Sequence, residues 1–306
     1  MQINPLRVDF VTLRLLLAIA HTGSITKAAQ SLHLALGAAS TRIRDLEERL
    51  GVVLLTRHAR GVRFTEAGTT VLHHARLIER ELAQMEFEVS DFAAGISGHV
   101  RVVANASSIA TVLPEDLTKF LKAHPRVRID LEECTSREIQ QRVADGDAEI
   151  GVFAGEQLRS ELTVMAYYED TLVALVPGQD AWKKERSLSL EALLTEDLIL
   201  LQEGGSIQEW LAEEARKRGL HLRIRVQVKG FDAISQLVAA GLGITVLPEV
   251  VARRFSQLLG LRILPITGIE TARSLSICCL DPARLSPAAR DLLSFFRDER
   301  AVRQGR

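Results

Sequence analysis

Residues 24–50, SITKAAQSLHLALGAASTRIRDLEERL, decide the fold of the amino-terminal part of the chain. Ser24 is a helix-capping hydroxyl, and Ala28, Ala29 and Leu32 follow it along one apolar face up to His33. A break at residues 34–37 leads into a second helix over residues 38–50. Its Ala39, Ile43, Leu46 and Leu50 recur at helical spacing. Gly51 stands where a glycine ends a helix, since it enters the left-handed conformation without strain. Two short helices, a tight turn and small alanines at the crossing spell a helix-turn-helix, whose second helix enters a DNA major groove. The polar side of that helix carries Ser40, Thr41, Arg42, Arg44 and Asp45. Its arginines suit base edges or phosphates, and its hydroxyls pair with either. An ordinary helical hairpin with a solvated charged face shares this pattern, so the flanking sequence has to decide.

Residues 51–65, GVVLLTRHARGVRFT, read as a hairpin wing with Arg57, Arg60 and Arg63 at three-residue intervals. Residues 1–65 hold nine Lys/Arg against four Asp/Glu, and the rest of the chain 29 against 35. A basic head on an acidic body is the electrostatic footprint of a nucleic-acid-binding domain joined to something else.

Residues 21–68, HTGSITKAAQSLHLALGAASTRIRDLEERLGVVLLTRHARGVRFTEAG, resemble the LysR-type transcriptional regulators. The resemblance continues through VAAGLGITVLP (238–248) to LSPAARDLLSFF (285–296), essentially the whole chain. Helix, turn, wing and Thr-Glu-Ala-Gly junction occur together and in order, which makes the motif specific. One departure stands out. Ala35, Leu36 and Gly37 replace the Ser-Gln-Pro/Ser run that opens the recognition helix in many members, which removes a base-reading side chain and a hydroxyl cap. Leu36 is instead suited to a thymine methyl. The DNA-contacting set expected from motif and resemblance is Thr26, Leu36, Ser40, Thr41, Arg42, Arg44, Arg57 and Arg60.

The chain has 306 residues, 47% hydrophobic and 25% charged, enough for two or three domains with real cores. MQINPLRVDF shows no basic-then-apolar signal pattern, and no apolar run approaches a membrane span. Cys134, Cys278 and Cys279 imply a reducing compartment, hence a cytoplasmic protein, and not a disulfide framework. Cys278 and Cys279 are adjacent on a predicted strand and face opposite sides of it.

Residues 8–21 form a first helix with Phe10, Leu13, Leu16, Leu17 and Ala20 at core spacing, placed to pack behind the helix-turn-helix. Thr65 caps a helix reaching residue 92, about 27 residues and roughly 40 Å long. Its Val71, Ala75, Ile78, Leu82, Met85, Val89 and Phe92 step by four and three alternately, a heptad seam. An exposed helix of that length needs a partner, so the seam predicts a homodimer. The resemblance implies the same pairing, spacing two DNA-reading heads, and further implies a homotetramer and contact with RNA polymerase.

Residues 95–98 read as a hinge. Beyond it, strands and helices alternate, predicting two open α/β lobes with largely parallel sheets. Strands are expected at 100–104, 127–131, 149–153, 162–168, 172–176, 198–201, 222–228 and 243–247. The expected domains are 1–65 (winged helix-turn-helix), 66–94 (dimerising linker helix), 95–98 (hinge) and 99–306 (effector binding). Lobe one takes 99–161 plus 269–306, and lobe two takes 162–268. The resemblance implies that this last part is similar to periplasmic solute-binding proteins, with residues 273–300 crossing back to complete lobe one.

Open α/β sheets bind ligands beyond the carboxyl ends of their strands, where helix starts converge. Four such junctions here are small and polar: residues 105–108, 135–136, 202–206 and 230–232. Hydroxyls and free N–H groups at a helix start favour a small anion such as a carboxylate. Taken singly, Ser108, Ser136, Ser206 and Asp232 are explained as helix caps. Several facing one cleft point to an effector. The expected effector set is Ser107, Ser108, Ser136, Phe153, Gly205, Ser206 and Phe231, with Ser107 and Ser108 matching hydroxyl positions implied by the family.

No catalytic, metal or cofactor set is expected. Ser107 and Ser206 lack a Gly-x-Ser-x-Gly context. The eight histidines form no metal-spaced cluster. Gly241-Leu242-Gly243 lacks the third glycine of a dinucleotide fingerprint and runs into a strand. A transport receptor would need a signal peptide and no basic head. A redox-responsive regulator acting through Cys134, Cys278 or Cys279 is the remaining alternative to effector control.

Overall fold

The computed structural model describes residues 8–58, 61–94, 98–178, 182–202 and 204–304. The chain divides into two compact units, one over residues 1–90 and one over nearly all of the remainder.

The first unit contains α1 (Phe10–Thr22), α2 (Ile25–Ser31), α3 (Leu36–Leu50), β1 (Leu55–His58), β2 (Gly61–Phe64) and α4 (Glu66–Ala94). Asp9 caps α1 by accepting from Thr12 N at 3.0 Å. Ser24 caps α2 by accepting from Lys27 N at 3.4 Å. His33 takes a left-handed φ of 54°, and Leu34 N donates to Ala29 O at 2.8 Å, which completes the turn early. The break therefore lies at residues 32–35, two positions earlier than 34–37, and α3 starts at Leu36, with Ala39 N donating to Ala35 O at 3.0 Å. Leu15, Ile19, Ala28, Ala29, Ala39 and Ile43 form the three-helix core, where the alanines let the helices approach closely. Burying each Leu or Ile there contributes about 1.5–3 kcal/mol.

A second cluster of Leu16, Leu46 and Leu54 joins these helices to the wing. Glu47 fixes that joint: its Oε1 accepts from Leu54 N at 2.7 Å and Leu55 N at 3.0 Å. Thr65 Oγ1 accepts from Gly68 N at 3.0 Å. A Cβ on Gly68 would lie 2.1 Å from Leu54 O, so only glycine lets the first turn of α4 pass the wing.

Along α4, Val71 packs against the Leu16–Leu46–Leu54 cluster and Ala75 is buried, so these two are not part of an open seam. Ile78 and Met85 stand 44% and 53% exposed, and Leu82 is half-buried. The side chain of Val89 lies outside the described residues, as do hinge positions 95–97.

The second unit opens with β3 (Gly98–Ala104), α5 (Ala106–Ala110), α6 (Leu113–Ala123), β4 (Val127–Glu133), α7 (Ser136–Asp145) and β5 (Ile150–Ala154). There follow β6 (Thr163–Val176), β7 (Leu188–Ser189), α8 (Leu190–Thr195), β8 (Leu198–Leu201), α9 (Ser206–Lys217), β9 (Ile224–Val228) and α10 (Phe231–Ala239). The chain ends with β10 (Thr245–Pro248), α11 (Glu249–Leu259), β11 (Arg262–Thr267), β12 (Ala272–Cys279) and α12 (Pro287–Gln304).

The sheet order is β4-β3-β5-β12-β6-β11-β7, with β10 also on β6 and β8-β9 forming a separate pair. The expectation of largely parallel sheets holds for β3 with β4 and β5, and for β8 with β9. It fails where the lobes meet: β12 is antiparallel to β5 and β6, and β6 to β10 and β11. The reason is a single strand. Residues expected as two strands form one, β6, whose first part pairs with β12 and whose part from Leu172 onward pairs with β10 and β11. A strand passing straight from lobe to lobe has to run against the strand that returns.

Lobe one closes over Val100, Val102, Phe120, Ile150, Val152 and Ile277, with Leu292 and Phe296 of α12 packed onto them. Lobe two closes over Leu172 to Val176 together with Leu193, Leu211, Ile234 and Leu247. No helix among the described residues is long and apolar enough to cross a membrane.

Candidate nucleic-acid interface and effector cleft

Helical geometry puts Gly37, Thr41 and Arg44 of α3 opposite its buried row of Ala39, Ile43 and Leu46. Leu36, Thr41, Arg44 and Thr26 are exposed and Ser40 is half-buried. Arg44 Nη2 donates only weakly, to Thr41 Oγ1 at 3.4 Å. Arg42 is different. Its Nη1 donates to both carboxylate oxygens of Asp9, at 3.0 and 2.9 Å, and so ties α3 to the start of α1. The acidic Asp45 and Glu48 confine the phosphate-compatible face to the first turns of the helix. Arg57 sits in β1 with its side chain outside the described residues, and Arg60 lies outside them altogether.

In the second unit the starts of α5, α7 and α9 face one cleft with a cavity of about 90 Å³. Ser107, Thr135 and Ser136 line it from lobe one, and Gln202, Gly205 and Ser206 from lobe two. Glu133, Cys134 and Lys229 also reach its wall. A Cβ on Gly204, at a left-handed φ of 86°, would approach Thr135 Cγ2 to 3.0 Å, so this glycine permits the close passage of the lobes.

The helix caps are not the residues expected. Asn105 caps α5, accepting from Ser108 N at 2.9 Å and Ser108 Oγ at 2.7 Å. Thr135 and Glu138 form a reciprocal capping box on α7: Thr135 N donates to Glu138 Oε2 at 2.9 Å and Glu138 N to Thr135 Oγ1 at 3.3 Å. The α9 start at Gly205 and the α10 start at Gly230 have no side-chain cap. Ser136, Ser206 and Asp232 therefore do not act as caps.

Their hydroxyls are used in another way. Ser136 Oγ accepts from Ala154 N at 3.2 Å and Asn105 Nδ2 at 3.4 Å. Ser107 Oγ accepts from Arg273 Nη2 at 2.7 Å, and Ser206 Oγ accepts from Arg273 Nη1 at 3.2 Å. None of these three hydroxyls donates to an acceptor among the described residues. Ser107 and Ser136 are nonetheless buried. Three O–H groups thus have a proton to give that no acceptor among the described residues takes.

Ser108 spends its proton on Asn105 and does not line the cleft. Phe153 is buried in a lobe-one cluster with Val103 and Ile139, and Phe231 in the lobe-two core. Each completes packing there, and neither reaches the cleft wall.

Arg273 was not among the expected residues. Its Nε and Nη2 donate to Asp170 Oδ2 at 3.1 and 2.7 Å. Burial raises the Asp170 carboxyl above its ordinary range, although Arg273 pulls the other way. A signal existed in the sequence: Asp170 and Arg273 are opposite charges inside two strands rich in apolar residues, which is how a cross-strand ion pair reads.

Cys278 faces the Ile139–Val143 cluster and Cys279 the Val100–Phe296 cluster, on opposite sides of β12 as the alternation requires. Burial pushes their thiols up to about 12 and about 11. Cys134 is also raised by burial, against the pull of Arg142, whose Nη1 donates to Sγ at 3.1 Å. Thiolate is the reactive form, and all three environments suppress it.

Residues 93–301 match the family model of the LysR substrate binding domain, and residues 10–69 that of the bacterial regulatory helix-turn-helix protein, lysR family. The chain belongs to the LysR family. This LysR-family protein is a DNA-binding transcription regulator whose output a small-molecule effector modulates. It is 29% identical over 297 residues to the RuBisCO operon transcriptional regulator of Allochromatium vinosum, covering 97% of this chain and 98% of that one. It is 28% identical over 230 residues to the transcriptional activator CmpR of Synechocystis sp., 75% of each chain. Among solved structures, full-length CbnR superposes with a TM-score of 0.64 at 21% identity, covering 96% of this chain and 99% of that one. The regulatory domain of Synechocystis CcmR in complex with 2-PG gives 0.58 at 18% identity, covering 67% and 98%.

Proposed function

We propose that the LysR-family protein senses a small anion, held between Ser107 and Ser136 of lobe one and Ser206 with the uncapped α9 start of lobe two. The observation that carries this reading is the set of three hydroxyls whose oxygens already accept from the chain and whose protons have no acceptor among the described residues. A ligand made only of acceptors, a carboxylate or phosphate, satisfies all three at once. The uncapped helix start adds free N–H groups and a positive dipole end.

On the DNA side, Leu36, Ser40, Thr41 and Arg44 with Thr26 supply base and phosphate contacts, and the wing adds Arg57 and Arg60. Two heads are held at half-site spacing by a homodimer seam centred on Ile78, Leu82 and Met85. The protein acts in the cytoplasm, where its DNA lies.

The test is a thermal-shift screen of the full-length protein against small carboxylates and phosphates, 2-PG among them, followed by gel shifts on promoter DNA. A stabilising acid that also changes the gel shift is the expected result. Stabilisation only by neutral or cationic compounds would overturn the anion reading.

A further inference from the structure

We infer that Arg273 is a positioning residue for this cleft: one guanidinium, mounted where the strands pass between the lobes, fixes both the direction of the serine protons and the spacing of the two lobes. This rests on the reading of the cleft as the effector site. Arg273 lies directly across from Asp170 in the β12–β6 register. Two residues further along β6, from Leu172, the pairing changes to β10 and β11 of lobe two. The Asp170–Arg273 pair thus sits at the boundary between the lobes. It is 3% and 14% exposed at the side chains.

A guanidinium is planar and only donates. Asp170 takes Nε and one N–H of Nη2, which fixes the plane. The remaining N–H directions are then set, and they meet Ser107 Oγ of lobe one and Ser206 Oγ of lobe two. Two consequences follow. Each serine oxygen must accept from Arg273, so its own proton turns away from the guanidinium and is offered to the cleft. In addition, the two helix starts are already joined through one side chain before any ligand arrives, so a ligand meets a spacing it does not have to create. Arg273 does not line the cleft itself, so its effect on the ligand passes through the serines.

The test uses full-length protein in a Cys134→Ala background with Lys122→Cys on lobe one and Gln257→Cys on lobe two, both exposed positions. These cysteines carry spin labels, with labelled chains diluted in unlabelled ones. Without ligand, the wild-type inter-lobe distance distribution should be narrow. Arg273→Met should broaden it and move it to longer distances. Arg273→Lys should do so in part, because one ammonium lacks the planar fork that meets Asp170 and both serines.

The decisive variant is Ser107→Ala with Ser206→Ala. It keeps the Asp170–Arg273 pair and the strand packing, so a purely structural role for Arg273 predicts no change. Loss of two hydrogen bonds from a charged donor should instead shift the closed-to-open ratio by about tenfold or more for each. A wild-type distribution in the double serine variant, or in a folded Arg273→Met, would overturn the inference. The effector reading is scored separately, by titrating wild type with inorganic phosphate and 2-PG. If neither binds while the distances respond as expected, the positioning role stands and the anion site falls. If either binds while the distances do not respond, the reverse holds.

Discussion

Ser107 and Ser108 are neighbours on α5, both buried, and the structure gives them opposite roles. Ser107 Oγ accepts from Arg273 and has its proton free; Ser108 Oγ donates at 2.7 Å to the carbonyl oxygen of the Asn105 side chain. Replacing each by alanine shows which hydroxyl the ligand uses. In Ser107→Ala the ligand loses one hydroxyl donor, worth about 1.5–3 kcal/mol when the acceptor is charged. Effector affinity should fall by about ten- to a hundredfold. Stability should fall as well, by about 1.5–3 kcal/mol at most, because Arg273 loses one acceptor while keeping both bonds to Asp170 and its third partner, Ser206. In Ser108→Ala the cap on α5 is weakened, because Asn105 loses the hydroxyl donor but keeps Ser108 N at 2.9 Å. That should cost about 1 kcal/mol of stability, with affinity within about twofold, which is under 0.5 kcal/mol. Calorimetry with the first acid found by thermal shift, alongside urea denaturation of both variants, measures the two quantities. Equal affinity losses in both variants would refute the reasoning, since donor accounting assigns only Ser107 a proton to give. So would an unchanged affinity in Ser107→Ala.

Three further outcomes are expected. Arg44→Ala should weaken operator binding by about 1–3 kcal/mol, whereas Arg42→Ala should act chiefly by loosening α1 from α3 and so lower the melting temperature of the head; gel shifts with calorimetric melting separate the two, and the reverse pattern would move the DNA face. Ile78→Glu should bury an unpaired charge in the seam at a cost of several kcal/mol, so light scattering should show dissociation; a variant that stays associated would place the seam elsewhere. Cys278 and Cys279, with thiols pushed up to about 12 and about 11, should stay unreactive toward a disulfide reagent at pH 8 until the protein is unfolded; rapid modification of the native protein, with loss of DNA binding, would revive redox control.

The helix-turn-helix was legible because each of its signals is local. Ser24 caps, Gly51 takes a φ of 70°, and the alanines at the crossing sit at helical spacing within one short stretch. The wing was legible for the same reason. The start of α3 was misplaced because the turn is made at His33, at positive φ without a glycine to announce it, and the sequence carries no capping hydroxyl to mark the boundary. In the effector domain, strand–helix alternation showed in the residues, but the sense of pairing did not. Antiparallel contact between β6 and β12 joins residues over a hundred positions apart, and no local pattern records it. The cleft was half legible. Small polar junctions after strands marked Ser107, Ser136, Gly205 and Ser206. Phe153 and Phe231 were drawn in by their place at strand and helix ends, where the structure spends them on packing. Arg273 was invisible to junction-based reasoning, because it meets the cleft serines from inside a strand.

The number of hydroxyl protons offered to the cleft also limits how strongly this regulator can respond. Three hydroxyls giving protons to an anion contribute about 4.5–9 kcal/mol at about 1.5–3 kcal/mol each. Association and ordering cost at least about 4 kcal/mol, so the serines alone leave at most about 5 kcal/mol, an effector bound at roughly 0.2 mM or weaker. Only the part of that binding energy that differs between lobe spacings can be passed on to DNA binding. Arg273 already holds Ser107 and Ser206 together without a ligand, so part of the binding energy is common to both states and does not act on the switch. A coupling near about 1–3 kcal/mol, five- to 150-fold in DNA affinity, is then the expected range. An effector of nanomolar affinity would require contacts beyond the serines, and Lys229 on the cleft wall is the cation placed to supply one.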